Sequence, residues 1–288
     1  MIETDWPLLL IFFLTGAAIG SFLNVCIARW PVDESVISPP SKCPYCGTPI
    51  KWYDNVPILG WVRLGGKCRN CRAPISVVYP AVELVVALGW LLCALAWGPS
   101  LTAIRVAVFG TIMLGIAVTD AKHYLIPDGF TVFGFVFVLA TAVYGGLSSD
   151  VTPFAQPMDA FIGACVAVGA IRIIGWLGEV ILKKEAMGFG DETLMAVVGA
   201  ALGPWRSLLV IFLGAAIGAV TFLLVVYPIV RLRRRRNEGQ IELELGVDEA
   251  PEMPLVPFGV FLAPAAVLAL VFGQQLADWY RVQVMGVS

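Results

Sequence analysis

Eight apolar runs separated by short polar stretches, at 7–28, 78–97, 103–119, 129–147, 158–182, 192–203, 206–230 and 256–277, leave this chain few ways to fold. Most reach the ~20 residues that a helix needs to cross ~30 Å of hydrocarbon at ~1.5 Å per residue. Only 14% of the 288 residues are charged and 59% are hydrophobic, whereas a soluble domain carries about a quarter charged residues. The expected fold is an all-α polytopic membrane protein of about eight transmembrane helices.

The first run is preceded by Glu3 and Asp5 rather than a basic stretch and ends at Arg29, so it reads as a retained helix and not as a cleaved signal peptide. If its N-terminus lies outside the cytoplasm, alternation puts 29–77, 120–128, 183–191 and 231–255 inside. Those segments hold fifteen Lys and Arg, against Arg105, Arg206 and Arg281 on the other side. That asymmetry fixes the orientation by the positive-inside rule. The run 192–203 is too short to span alone. It is counted as a crossing because a re-entrant loop there would put Arg231 and Arg233 to Arg236 outside.

Three regions follow: a first transmembrane helix (1–29), a polar, proline-rich insertion (30–77), and a helical bundle (78–288) interrupted by a cytoplasmic loop at 231–255. That loop begins basic and turns acidic through Glu238, Glu242, Glu244, Asp248, Glu249 and Glu252, as a solvated linker would. No internal repeat is evident, and nothing points to a nucleic-acid partner.

The insertion carries Cys43-Pro-Tyr-Cys46 and Cys68-Arg-Asn-Cys71. Two CxxC turns, each offering two sulfurs, complete a tetrahedron around Zn²⁺, and four protein ligands leave no open position for catalysis. A structural zinc is therefore expected. A redox dithiol is the alternative; structural disulfides are disfavoured because cytoplasmic thiols stay reduced. Cys26, Cys93 and Cys165 fall in spans and read as packing residues. The lone His123 reads as an interfacial residue of a short loop.

Asp120 ends the third span and Asp191 opens the sixth, inside Gly188-Phe189-Gly190-Asp191. A carboxylate costs roughly 2.5–3.5 kcal/mol at a membrane helix centre and less toward the interface. Either acid alone reads as a helix cap or an interfacial ion pair. Both on one side of the membrane, with a Gly-x-Gly turn before one of them, suggest an aspartic-protease dyad. By helix dipoles, Asp191 at an N-terminus is the expected resting base and Asp120 at a C-terminus the acid. Lys122 opposes that assignment. Asp128, at the start of the next span, is a weaker alternative acid.

The ordered motifs Gly20-Ser21-Phe22-Leu23-Asn24-Val25, the tetracysteine insertion, Asp54-Asn55-Val56-Pro57, Gly65-Gly66-Lys67-Cys68, Tyr79-Pro80-Ala81-Val82-Glu83, Asp120 with Ile126-Pro127-Asp128, and Gly188-Phe189-Gly190-Asp191 resemble the type IV prepilin peptidase family over nearly the whole chain. The resemblance implies a bifunctional enzyme of the bacterial inner membrane with Asp120 and Asp191 as its catalytic pair. It would cleave the leaders of type IV prepilins or type II secretion pseudopilins after a glycine at the cytoplasmic face. The new N-terminus would then be methylated from S-adenosylmethionine, with the zinc-bearing insertion associated with methyl transfer. One departure stands out: Thr193 occupies a position where the family often has lysine.

Glu83 and Asn24 are candidates for the methyl-donor site, a carboxylate being able to bind or deprotonate an amine. Each has a plain structural alternative, as an ion pair or an interhelical hydrogen bond. Two other readings stay open: a presenilin-like protease cutting within spans, and a non-enzymatic scaffold or transporter carrying a zinc ribbon.

Overall fold

The computed structural model describes residues 6–148, 152–183, 187–231 and 257–283. The basic and acidic loop expected at 231–255 lies outside the described residues after Arg231. The described chain folds as α1 (Trp6–Arg29), a short α2 (Leu59–Arg63) within the insertion, α3 (Val78–Trp97), α4 (Leu101–His123), α5 (Asp128–Ser148) and α6 (Pro157–Leu182). Then come α7 (Phe189–Leu202), α8 (Pro204–Thr221) and a final helix, α9 (Gly259–Gln283). A π-helical turn (Phe222–Val226) prolongs α8 as far as Arg231.

Among the described residues, seven helices are long and apolar enough to cross a membrane. The eighth expected span, α7, has 14 residues, about 21 Å of helix. Its surroundings explain the length. Leu194, Met195, Val197, Val198, Ala200 and Ala201 are fully buried, because α5, α6, α8 and α9 pack around them. A helix enclosed by protein need not match the bilayer thickness. By contrast, Ile11, Leu92, Val132, Phe161, Ile181 and Phe212 on the outer helices are exposed, as lipid-facing side chains should be.

Close helix crossings depend on small residues, since tight packing drives helix association in lipid. Gly16 and Gly20 of α1 seat the backbone of α3, where an added Cβ would lie 2.9 Å from the Ala87 Cα and 2.8 Å from the Glu83 Cα. The tightest crossing joins α6 to α7: a Cβ on Gly163 would run into the Gly199 carbonyl, and one on Gly199 into the Gly163 carbonyl. Neither backbone can yield without moving α7. Gly199→Ala is therefore expected to destabilise the detergent-solubilised protein by about 3 kcal/mol, the upper end for overpacking. A thermal unfolding midpoint unchanged from that of the parent protein would contradict this crossing.

In the insertion, one turn is built twice. Cys43 N–H donates to Thr48 C=O (3.0 Å) and Cys68 N–H to Ala73 C=O (2.8 Å), while Gly47 and Arg72 N–H return to Cys43 and Cys68 C=O (2.9 and 3.1 Å). Gly47 and Arg72 both adopt positive φ, +70° and +61°. Isolated bridges pair Lys42 with Pro49 and Lys67 with Pro74. The pattern Lys-Cys-x-x-Cys-x-x-Pro thus occurs at 42–49 and again at 67–74. This is a short repeat that the sequence reading passes over, because its fixed positions are few.

Candidate active site and metal centre

Asp120 and Asp191 meet at one end of the bundle. The last turn of α4 carries Asp120, which is 6% exposed. The first turn of α7 carries Asp191, whose N–H donates to Gly188 C=O at 3.1 Å. Both acids border Ile126, which stands against Gly190 next to Asp191 and against Gly259 beside Asp120 Oδ2. The same end gathers the start of α3, the start of α5 and the first turn of α9. Ile126 is wedged among them, buried, with its Cβ 3.0 Å from where a Cβ on Gly190 would stand. The second glycine of the Gly-x-Gly turn therefore has a physical reason: it lets α7 close on the α4–α5 connection.

One contact falls outside any reading based on each acid's own helix. The backbone N–H of Val260, at the start of α9, donates to Asp120 Oδ2 at 3.1 Å. Asp120 sits at the C-terminal end of α4 yet faces the N-terminal end of another helix. The helix-end argument that made Asp191 the base and Asp120 the acid is thus incomplete. Asp120 and Val260 are 140 residues apart, and no local pattern announces the pairing.

The neighbouring polar residues have structural occupations. Thr193 donates its hydroxyl to Gly190 C=O at 2.9 Å, within its own helix. Glu192 accepts from Arg172 at 2.8 Å, tying α6 to α7 beside the acids; neither was singled out from sequence as part of the site. Asp128 is exposed in the first turn of α5, where a carboxylate suits the helix dipole. His123 is also exposed.

Glu83 and Asn24 lie where α1, α3 and the insertion join. Glu83 Oε2 accepts the Ile58 N–H at 2.6 Å, and Ile58 has φ +62°, a conformation that a β-branched residue adopts only under constraint. Glu83 thereby anchors the Asp54–Pro57 loop to α3. Asn24 Nδ2 donates to Tyr79 C=O at 3.0 Å. Asn24 also lines a cavity of about 370 Å³ with Ser76, Tyr79, Lys122 and His123, adjacent in sequence to Asp120.

The four cysteine sulfurs of the insertion all lie within 4.8 Å of one another, and Cys43 Sγ is 3.8 Å from Cys71 Sγ. Thiolates about 2.3 Å from a tetrahedral Zn²⁺ stand ~3.8 Å apart, so the residues fit a four-thiolate metal site. The sulfurs also influence one another. The Thr48 side chain and backbone bring Cys46 down to about 6. Cys71 is lowered by the Ala73 backbone, but desolvation and its sulfur neighbours carry it up to about 11. Arg69, between the second pair of cysteines, donates to Asp54 from Nε at 2.7 Å and from its terminal nitrogen at 2.5 Å. That two-point contact holds the Asp54 carboxyl below its ordinary range and fastens the second knuckle to the Asp54–Pro57 loop.

Comparison with known families matches residues 14–97 to the bacterial peptidase A24 N-terminal domain and residues 107–223 to the type IV leader peptidase family. The chain is 37% identical to a prepilin leader peptidase/N-methyltransferase of Myxococcus xanthus, over 82% of this chain and 69% of that protein. It is 31% identical to the protein of the same name from Aeromonas hydrophila, over 96% and 94% of the two chains. With the Pseudomonas aeruginosa protein of that name the identity is 31%, over 93% and 91%. No solved structure matches.

Proposed function

Because the chain belongs to the type IV leader peptidase family, we propose that it is a multi-pass membrane aspartic endopeptidase that removes the leaders of prepilin-type substrates and N-methylates the new N-terminus. The observation that carries the peptidase reading is that Asp120 and Asp191, from separate helices, come to one end of the bundle around the buried Ile126. They are the catalytic pair in this reading.

Two carboxyls sharing one site favour a state with one shared proton. The ionised carboxyl takes a proton from a water while the water oxygen bonds to the scissile carbonyl carbon. The protonated carboxyl gives its proton to the carbonyl oxygen, producing a tetrahedral diol. On collapse, one diol hydroxyl returns its proton to the second acid. The first acid protonates the leaving nitrogen, and the C–N bond breaks. Both acids end as they began.

The Lys and Arg asymmetry supports a cytoplasmic position for this end of the bundle in the bacterial inner membrane. Type IV prepilins and type II secretion pseudopilins are the substrates that suit such a site. The insertion at 30–77 forms a metal-binding unit with Cys43, Cys46, Cys68 and Cys71 holding Zn²⁺; when bound, the ion cross-links the two knuckles and supplies no chemistry to proteolysis. S-adenosylmethionine is the methyl donor that the relatives' names support. Asn24, on its cavity wall, is a better placed candidate to meet it than Glu83, whose Oε2 already receives Ile58.

Incubation of the purified protein with a prepilin and isotopically labelled S-adenosylmethionine tests both activities at once. The expected product begins at the residue after the leader glycine and carries the labelled methyl on its α-amine, read by mass spectrometry. Unprocessed prepilin would reject the proposal. A cleaved but unlabelled product would reject its second half.

A further inference from the structure

The first turn of a helix leaves its amides without intrahelical acceptors. In α9 one of these, Val260 N–H, donates to Asp120 Oδ2 at 3.1 Å. The residue before it is a close-fitting glycine: a Cβ on Gly259 would stand 2.7 Å from Asp120 Oδ2 and 2.9 Å from Ile126 Cδ1, so the acid or Ile126 would have to shift. The turn is held firmly. Leu262, Ala263, Ala265 and Ala266 are fully buried, and Leu262 packs into the space left by Gly214 of α8, with its Cα 3.4 Å from where that Cβ would lie. Phe258 C=O accepts both Phe261 and Leu262 N–H at 3.0 and 3.1 Å, which fixes the peptide planes that aim Val260 at the acid.

We propose that Gly259 and Val260 are positioning residues of the peptidase site, a backbone clamp at the start of α9 that fixes the Asp120 carboxylate through Oδ2 and leaves Oδ1 to face water and Asp191. The inference rests on the reading of Asp120 and Asp191 as the dyad and adds a third chain segment to it. A carboxylate at the end of a helix has two free side-chain torsions, and one directed amide removes most of that freedom. Neither residue takes part in proton transfer. Their effect is on the orientation of the acid, so they should act on turnover and not on substrate affinity.

Val260→Pro deletes the donor while proline remains compatible with a first helical turn. Val260→Ala keeps the N–H and trims the side chain. Gly259→Ala keeps the N–H but crowds Oδ2. With purified full-length protein and a prepilin, Val260→Pro and Gly259→Ala are each expected to lower kcat by about 10²-fold, the cost of misplacing a reacting group by ~1 Å. KM should move less than about twofold, the signature of an interaction expressed in turnover. Val260→Ala should keep a kcat at least tenfold above that of Val260→Pro. Equal losses in the two Val260 variants would trace the effect to the side chain and overturn the proposal, as would undiminished kcat in Val260→Pro. If Val260→Pro does not insert, Gly259→Ala decides alone, with retained kcat overturning the clamp. Asp120→Asn in the same assay keeps the two ideas apart. Its inactivity beside an active Val260→Pro sinks only the clamp, whereas an active Asp120→Asn sinks the dyad itself.

Discussion

Replacing Asp120 or Asp191 by asparagine is expected to lower prepilin cleavage by about 10⁴-fold, the upper range for losing an acid or base from a concerted site. The substitution is nearly isosteric. An asparagine at 120 still offers an oxygen to Val260 N–H, and at 191 it remains compatible with the first turn of α7. Folding and insertion should survive, so the loss reports on proton transfer. If the two carboxyls work as one unit, as proposed, the double variant should be hardly worse than either single one. The check is a cleavage time course with purified protein in detergent, alongside its elution as a monodisperse species. Processing by either single variant within tenfold of the parent protein would end the two-acid account.

The next largest effect is expected in the insertion. Cys43→Ser removes one of four sulfurs that close a loop with little apolar core of its own; only Cys43, Gly60 and Gly66 are buried between Arg29 and Val82. Binding of zinc to such a segment is worth about 10–16 kcal/mol in isolated peptides, so the segment's order and the metal are lost together. Metal content measured on the purified protein should drop from about one zinc per chain to below a tenth. Limited proteolysis should then cut between 42 and 75 while the helices stay protected. Cys71→Ser should behave alike, since its sulfur stands 3.8 Å from Cys43 Sγ on the facing knuckle. One zinc per chain in either variant would remove the four-thiolate site.

Much of the architecture is legible in the order of residues because lipid imposes a single rule on every outer helix: enough apolar length to cross. That rule places α1, α3, α5 and α6 to within a few residues. It misleads at α7, whose neighbours are protein, so that its length reflects the depth of the bundle. The acids themselves are visible as charges in an uncharged setting, and the cysteines by their spacing. What stays hidden is contact between segments remote in sequence. Gly163 and Gly199 look like two of many glycines until α6 and α7 cross there. Ile126 reads as one more apolar residue, although it fills the junction between Gly190 and Gly259. The helix-end argument about the acids was incomplete for the same reason: it weighed α4 and α7, while Asp120 also meets the start of α9.

The sheltering of α7 has a consequence for the proteins this enzyme handles. With neighbours on every side of its buried stretch, α7 offers its acid only at its end, on the half-buried first turn. A client anchored by an apolar helix can rest against the outer wall, but the bond to be cut must be carried on the unstructured stub that projects past that helix into water. Selection among clients would then depend on how far each stub reaches, and long hydrophobic segments would be spared simply because their peptide bonds never arrive.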